Sequence, residues 1–324
     1  MSLARVFLPG LGDTVSALGF GCASLGSRIA PAEGASALAR AYDAGVTWFD
    51  VAPSYGDGQA EELLGRFLKG RRGDAQVLTK VGIAPPAPSL KQRLARPAMR
   101  AALAAAPALR AAIRKRRPLS TKLPLDAAMI PASLDASLQR LGTDHVDVLA
   151  LHDATPDEAA RADVIEALAR AKAAGKIRVA AIASSPEAAA AGIAVAPDVY
   201  GLAQMANNVL DPGLDRFAVA DGAIDRVTHS VYGTDGSIAR LATRIEGDRD
   251  IHAALAQAGY AGAASAVAAD FLADYSFSAN SGGVVLLSMF KAAHLAANVA
   301  RHGRPRDAVA IRALADRIRP AMAR

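Results

Sequence analysis

Four residues able to move or stabilise a proton stand at or just after the ends of apolar runs. Asp50 ends Thr47-Trp48-Phe49-Asp50, an aromatic stretch that reads as a buried strand. Tyr55 follows in the turn marked by Pro53 and Gly56. Lys80 ends Ala75-Gln76-Val77-Leu78-Thr79-Lys80, and His152 ends Val146-Asp147-Val148-Leu149-Ala150-Leu151-His152. A carboxylate at a strand end has to be solvated or paired. A lysine pointing the same way from the next strand would pair Asp50, and the same ammonium would act on Tyr55. A tyrosine titrates near ~10 unperturbed, and a neighbouring cation favours phenolate, lowering that value by ~1–3 units. Plainer readings stand beside this one. Asp50 and Lys80 can form a structural ion pair, since such networks also perturb titration, and a lone histidine can be a satisfied core residue.

The elements that must carry these residues alternate. After a short β-hairpin, Arg5 to Leu8 and Thr14 to Leu18, the core strands begin at Leu18-Gly19-Phe20-Gly21-Cys22-Ala23. The Asp50, Lys80 and His152 strands follow, then Ile177 to Ala183, Gly201 to Met205, Ile224 to His229 and Val284 to Leu287. Helical spacing lies between most of them: Glu33 to Ala44, Glu61 to Leu68, Ser133 to Leu141, Glu158 to Ala174, Pro186 to Ala191, and an Ala-rich stretch from Ile251 to Leu272. Two more helices close the chain, around His294 to Val299 and Asp307 to Met322. Eight strands with helices between predict an α/β fold, a (β/α)8 TIM barrel, which places its chemistry at the C-terminal strand edge. No glycine fingerprint follows the first core strand, so a doubly wound sheet fits less well. With no linker and no fixed-period repeat, residues 1–324 read as one barrel domain, interrupted after the third core strand by a long basic insertion over residues 84–126.

Composition narrows the function classes. Of the 324 residues 52% are apolar and only 5% aromatic, so the core has to be aliphatic, as in buried parallel strands under helices. Cys22 is the only cysteine, which excludes an internal disulfide, offers no structural zinc site and fits a reducing cytoplasm. Neither a signal peptide nor a membrane span is legible, and no metal site is expected. The net charge is +6, yet Pro85 to Pro124 holds ten Lys and Arg and no acid, leaving the remainder at −4 (6 minus 10). Nucleic-acid binding is therefore not expected, the more so because the basic segment has no aromatic residue to stack a base. The segment reads as a solvated flap, as a lid that attracts an anionic substrate, or as a surface patch.

The hairpin through Asn298 resembles the aldo-keto reductase superfamily. Phe49-Asp50-Val51-Ala52-Pro53-Ser54-Tyr55-Gly56 with Glu61-Glu62-Leu63-Leu64-Gly65 is similar to its second-strand signature, and Leu78-Thr79-Lys80 to its lysine motif. Ser137-Leu138-Gln139-Arg140-Leu141-Gly142 with the His152 strand is similar to its fourth-strand signature. Leu151-His152-Asp153 resembles the subgroup with aldose and galactose 1-dehydrogenases. The resemblance implies catalytic residues Tyr55, Lys80, Asp50 and His152, a cofactor NADP or NAD, and interconversion of an aldehyde, ketone or sugar carbonyl with an alcohol. Tyr55 would be the acid/base, tuned by Lys80 and Asp50, with His152 orienting the substrate. At the cofactor it points to Gln204, Ser184, Ser230, Ser288, His294 and Asn298. Several positions depart from the family pattern. Ala183-Ser184 replaces a Ser-Asn pair, Asn207 falls at the aromatic platform, His294 replaces an arginine and Ala297 a glutamate. Two rival readings remain: a barrel with a degraded cofactor site acting as a binding, regulatory or redox-neutral protein, and a Schiff-base lyase using Lys80. His145 and His229 read as structural or surface residues, Cys22, Tyr42, Trp48 and Phe49 as packing, and Glu61 and Glu62 as acids favoured at a helix start.

Overall fold

A computed structural model describes residues 3–84, 121–217, 219, 224–233 and 236–322. Strands β1 (Arg5–Leu8) and β2 (Asp13–Ser16) pair antiparallel as a hairpin. The next eight strands are β3 (Leu18–Gly21), β4 (Trp48–Asp50), β5 (Gln76–Val81), β6 (Val146–His152), β7 (Ile177–Ala183), β8 (Tyr200–Ala206), β9 (Asp225–His229) and β10 (Val284–Leu287). Each pairs in parallel with the next, and β10 pairs with β3, so the sheet closes into a barrel surrounded by helices.

Two-residue alternation divides each strand between an inner and an outer face. Trp48, Leu78, Val148, Ala150, Val179, Leu202, Val227 and Leu286 fill the interior. Phe20, Phe49, Val77, Leu149, Ile182, Met205 and Val285 belong to the layer packed against the helices. The register then explains why the ionisable residues meet. Asp50 pairs with Leu78, two residues before Lys80, and Lys80 pairs with Ala150, two before His152. Steps of two preserve the inward face. The stagger of tilted strands carries all three to one end of the barrel.

The hairpin covers the other end. Leu8, Leu11 and Val15 join the interior cluster. The buried Asp225 carboxylate accepts from the backbone N–H of Gly10 at 3.1 Å and of Leu11 at 2.8 Å, latching the hairpin to β9. Burial raises the Asp225 carboxyl above its ordinary range, and these two backbone donors act against that rise.

Several helices differ from their expected bounds. The stretch read as one helix from Glu158 to Ala174 is two, Pro156–Ala159 and Ala162–Ala173. Thr155 ends the approach with a capping box to Glu158 that starts a separate short turn. The Ala-rich stretch is likewise two helices, Arg249–Gln257 and Ala264–Ala279, separated where Gly259 and Gly262 take φ of 88° and 118°. An unanticipated helix, Ser237–Gly247, buries Leu241, Ala242 and Ile245 in a second apolar cluster with Leu255, Phe271, Leu314 and Ile318.

The readings of the basic insertion fall on residues 85–120, outside the described residues. Its two flanks meet: Ala84 N–H donates to Thr121 O at 3.0 Å and Leu123 N–H to Gly82 O at 2.8 Å. Among the described residues, no helix is long and apolar enough to cross a membrane, and no group of three or more His, Cys, Asp or Glu is placed to hold a metal.

Candidate active site

Tyr55 opens a 3-10 turn just after β4. The turn depends on Gly56, whose φ is 62° and at which a Cβ would lie 1.7 Å from the Leu25 carbonyl oxygen. No other residue type could pass there without displacing backbone. The tight turn folds the phenol back over the barrel end. Lys80 Nζ lies 3.1 Å from Tyr55 Oη, 2.8 Å from each oxygen of Asp50 and 3.2 Å from Val51 O. Gln204 Nε2 donates to Asp50 Oδ2 at 2.9 Å. Asp50 and Lys80 are 3% and 2% exposed, so this is a desolvated ion pair with nearly all its polar atoms engaged.

Donor direction follows from charge. An ammonium only donates, so Tyr55 Oη accepts from Lys80 and its own proton is left to point elsewhere. Burial works against the Lys80 charge, but the Asp50 carboxylate and Tyr55 outweigh it, and the ammonium is held above its ordinary value. For Tyr55 the balance runs the other way. Burial pushes the phenol up, and the opposing pull of Lys80 is smaller. The expected acidification is therefore not the net effect: the desolvated phenol stays protonated at neutral pH. The field of Lys80 acts instead on the phenolate that remains once the proton has left.

The His152 ring meets Tyr55 edge-on, with centroids 6.0 Å apart and planes at 84°. Burial first, and then the nearby Lys80 charge, lowers its pKa to about 3, so the imidazole is neutral. Its Nδ1 is buried with no partner among the described residues. These groups line a cavity of about 620 Å³ at the C-terminal strand edge. It extends from Tyr55 past the ends of β7 to β10, and Gln204, Ser184, Ser230 and Ser288 also line it. His294, exposed on the helix Ala292–His302, and the buried Asn298 lie outside its lining, as does the fully buried Asn207. Asn298 Oδ1 accepts from Tyr232 Oη at 3.3 Å and from Arg301 Nη1 at 3.4 Å.

One reading of a single residue needs correction, and another gains a second role. His229, taken as structural or surface, is the last residue of β9 and lines the cavity, its Nδ1 2.8 Å from Ser230 Oγ. Burial lowers its pKa too. Its place at a strand end, like that of His152, was the available signal. Glu61 does lie in the first turn of its helix, Ala60–Leu68, and is also 1% exposed. It accepts from Thr79 Oγ1 at 2.6 Å and pairs with Arg140 at 2.6 Å, tying the helix after Tyr55 to the strand that carries Lys80.

Residues 17–208 match the Aldo/keto reductase family. The chain belongs to that family. Among curated proteins it is similar to pyridoxal 4-dehydrogenase of Microbacterium luteolum, 46% identical over 74 residues, 22% of each chain. It is also similar to D-threo-aldose 1-dehydrogenase of a Pseudomonas species, 31% identical over 193 residues, 53% of this chain and 51% of that one. The matches thus span about half or less of these relatives' lengths. The fold is similar to a solved aldo/keto reductase of Klebsiella pneumoniae in complex with NADP and acetate, with TM-score 0.68, 19% identity, and coverage of 98% and 96% of the two chains.

In this aldo/keto reductase, one end of the cavity is lined by Gln204 and Ser184. Gln204 Oε1 is a buried acceptor with no hydrogen-bond partner among the described residues. Ser184 Oγ donates to Ala154 O at 2.6 Å, which leaves its lone pairs for another donor.

Proposed function

We propose that the chain is an NAD(P)-dependent oxidoreductase that interconverts a carbonyl and an alcohol, with Tyr55 as the acid/base. The observation that carries this is the contact of Tyr55 Oη with Lys80 Nζ at 3.1 Å, beside a cavity shared with His152. A bound nicotinamide supplies hydride in reduction and takes it up in oxidation. Gln204 and Ser184 would hold its carboxamide, and Ser230 and Ser288 border the same cavity. As the substrate oxygen gains charge, Tyr55 hands it the proton that Lys80 leaves unbound. The resulting phenolate sits against an ammonium that Asp50 keeps charged. In the oxidative direction the phenolate takes the hydroxyl proton back. Neutral His152 donates a hydrogen bond to the same oxygen and aims it at Tyr55. Positioned proton transfer of this kind contributes roughly 10²–10⁴-fold. The names of the relatives, an aldose dehydrogenase and a pyridoxal dehydrogenase, favour a hydroxylated aldehyde or its hemiacetal as substrate.

The Tyr55→Phe variant should fold with an unchanged circular dichroism spectrum and lose at least ~100-fold in kcat. A variant that keeps turnover would remove Tyr55 from the mechanism. A second reading, a barrel without ordinary cofactor use, draws on the adenosine end. There the Asn298 carbonyl is already engaged by Tyr232 and Arg301, and His294 lies off the cavity. Fluorescence titration with NADH and NADPH separates the two, since saturation with neither would replace the first reading by the second. A Schiff-base role for Lys80 is disfavoured by the Asp50 carboxylate that holds the amine protonated.

A further inference from the structure

Charge pairing among the described cavity residues leaves one carboxylate over. Among its lining residues, Lys80 is matched by Asp50 at 2.8 Å, and Arg216 by Asp211 at 2.9 Å and by Glu187 at 3.3 Å. His152 and His229 are neutral, since burial holds both imidazoles low. Asp153 remains. It lines the cavity directly after His152, is exposed, and has no side-chain hydrogen bond or ion pair among the described residues. Its φ is 53°, in the left-handed region, and its N–H donates to Ala183 O at 2.9 Å, which fixes the residue at the mouth between β6 and β7. Asp153 lines the same cavity as Tyr55, His152 and His229, so its carboxylate faces the space in which a substrate would lie. The serines Ser184, Ser185 and Ser288 line the same cavity, beside the apolar Val231, Leu286 and Leu287.

We propose that Asp153 selects the substrate: its carboxylate accepts hydroxyl groups of a neutral, hydroxylated carbonyl compound and repels an anionic one. This rests on the oxidoreductase reading and adds a residue that chooses among carbonyls. It runs against the anionic substrate suggested by the basic insertion, because the described walls carry an unmatched negative charge. A carboxylate accepts two hydroxyls of a polyol at once, whereas a substrate carboxylate brought to the same place meets like charge.

The test compares three aldehydes, glyceraldehyde, propanal and succinic semialdehyde, with wild type, Asp153→Asn and Asp153→Gly. Asparagine and glycine both tolerate the left-handed backbone, so neither variant strains the turn. In Asp153→Asn the kcat/KM ratio of glyceraldehyde to succinic semialdehyde should fall about tenfold. The ratio of glyceraldehyde to propanal should fall in both variants, through KM more than kcat, by roughly tenfold for a lost bond to a charged group. High salt should shrink the wild-type preference over the anion and leave that of Asp153→Asn unchanged. Ratios within twofold of wild type in both variants would overturn the selecting role while leaving the oxidoreductase reading intact. A wild type that binds NADH or NADPH yet reduces none of the three would overturn both.

Discussion

The Asp50–Lys80 pair can be tested without any substrate, through a double-mutant cycle on stability. The two side chains are 3% and 2% exposed and joined by two contacts of 2.8 Å. Removing one member of a buried ion pair costs about 3–5 kcal/mol, most of it because the other charge is left unmatched in a dry site. In Lys80→Met, the Asp50 carboxylate keeps only the Gln204 amide at 2.9 Å. In Asp50→Asn, the ammonium keeps Val51 O and Tyr55 Oη but faces an amide instead of an anion. Independent effects would sum to about 6–10 kcal/mol, a large share of the ~5–15 kcal/mol that typically holds a fold together. The double variant leaves no charge at this buried pair and keeps a similar volume, so it should be more stable than either single variant. Urea unfolding at pH 7, read as midpoint and slope, gives the ranking. A double variant less stable than both single ones, or effects additive within ~0.5 kcal/mol, would show that the two groups are not coupled as described.

Two further outcomes follow from the same geometry. The His152 imidazole, lowered to about 3, should leave no inflection in kcat/KM for carbonyl reduction between about pH 5 and 8. Because its folded value lies below the ordinary one, its stabilising contribution is complete above about 6.5 and is lost as pH falls towards about 3. An inflection near neutrality that His152→Gln removes would contradict this. Gly56→Ala should destabilise by more than ~2 kcal/mol and slow turnover, since Tyr55 must move with its neighbour. Gly12→Ala, with φ of 67° but no atom within 4 Å of the new methyl, should lose less. Equal shifts in melting temperature would remove the argument from close approach.

The chain order of apolar runs, glycines and prolines already contained the barrel. Strand alternation and turn residues are local properties, legible wherever neighbours in sequence decide the conformation. The same holds for Asp50, Tyr55, Lys80 and His152, each announced by its place at or just after a strand end. The helix Ser237–Gly247 and the breaks at Ala160–Arg161 and Ala258–Ala263 were less visible, because caps and packing partners set them more than apolar period does. What the fold alone decided concerns burial and distance between residues far apart in the chain. Those determine that Tyr55 is pushed up by desolvation more than it is pulled down by Lys80, and that His229 opens on the cavity while His294 does not. They also turn Glu61 into an anchor for the Lys80 strand and leave Asp153 at the mouth with no partner among the described residues. Composition along a chain records which groups are present. Only closure of the sheet, with its fixed stagger, decides which of them lose water together and therefore which charges matter.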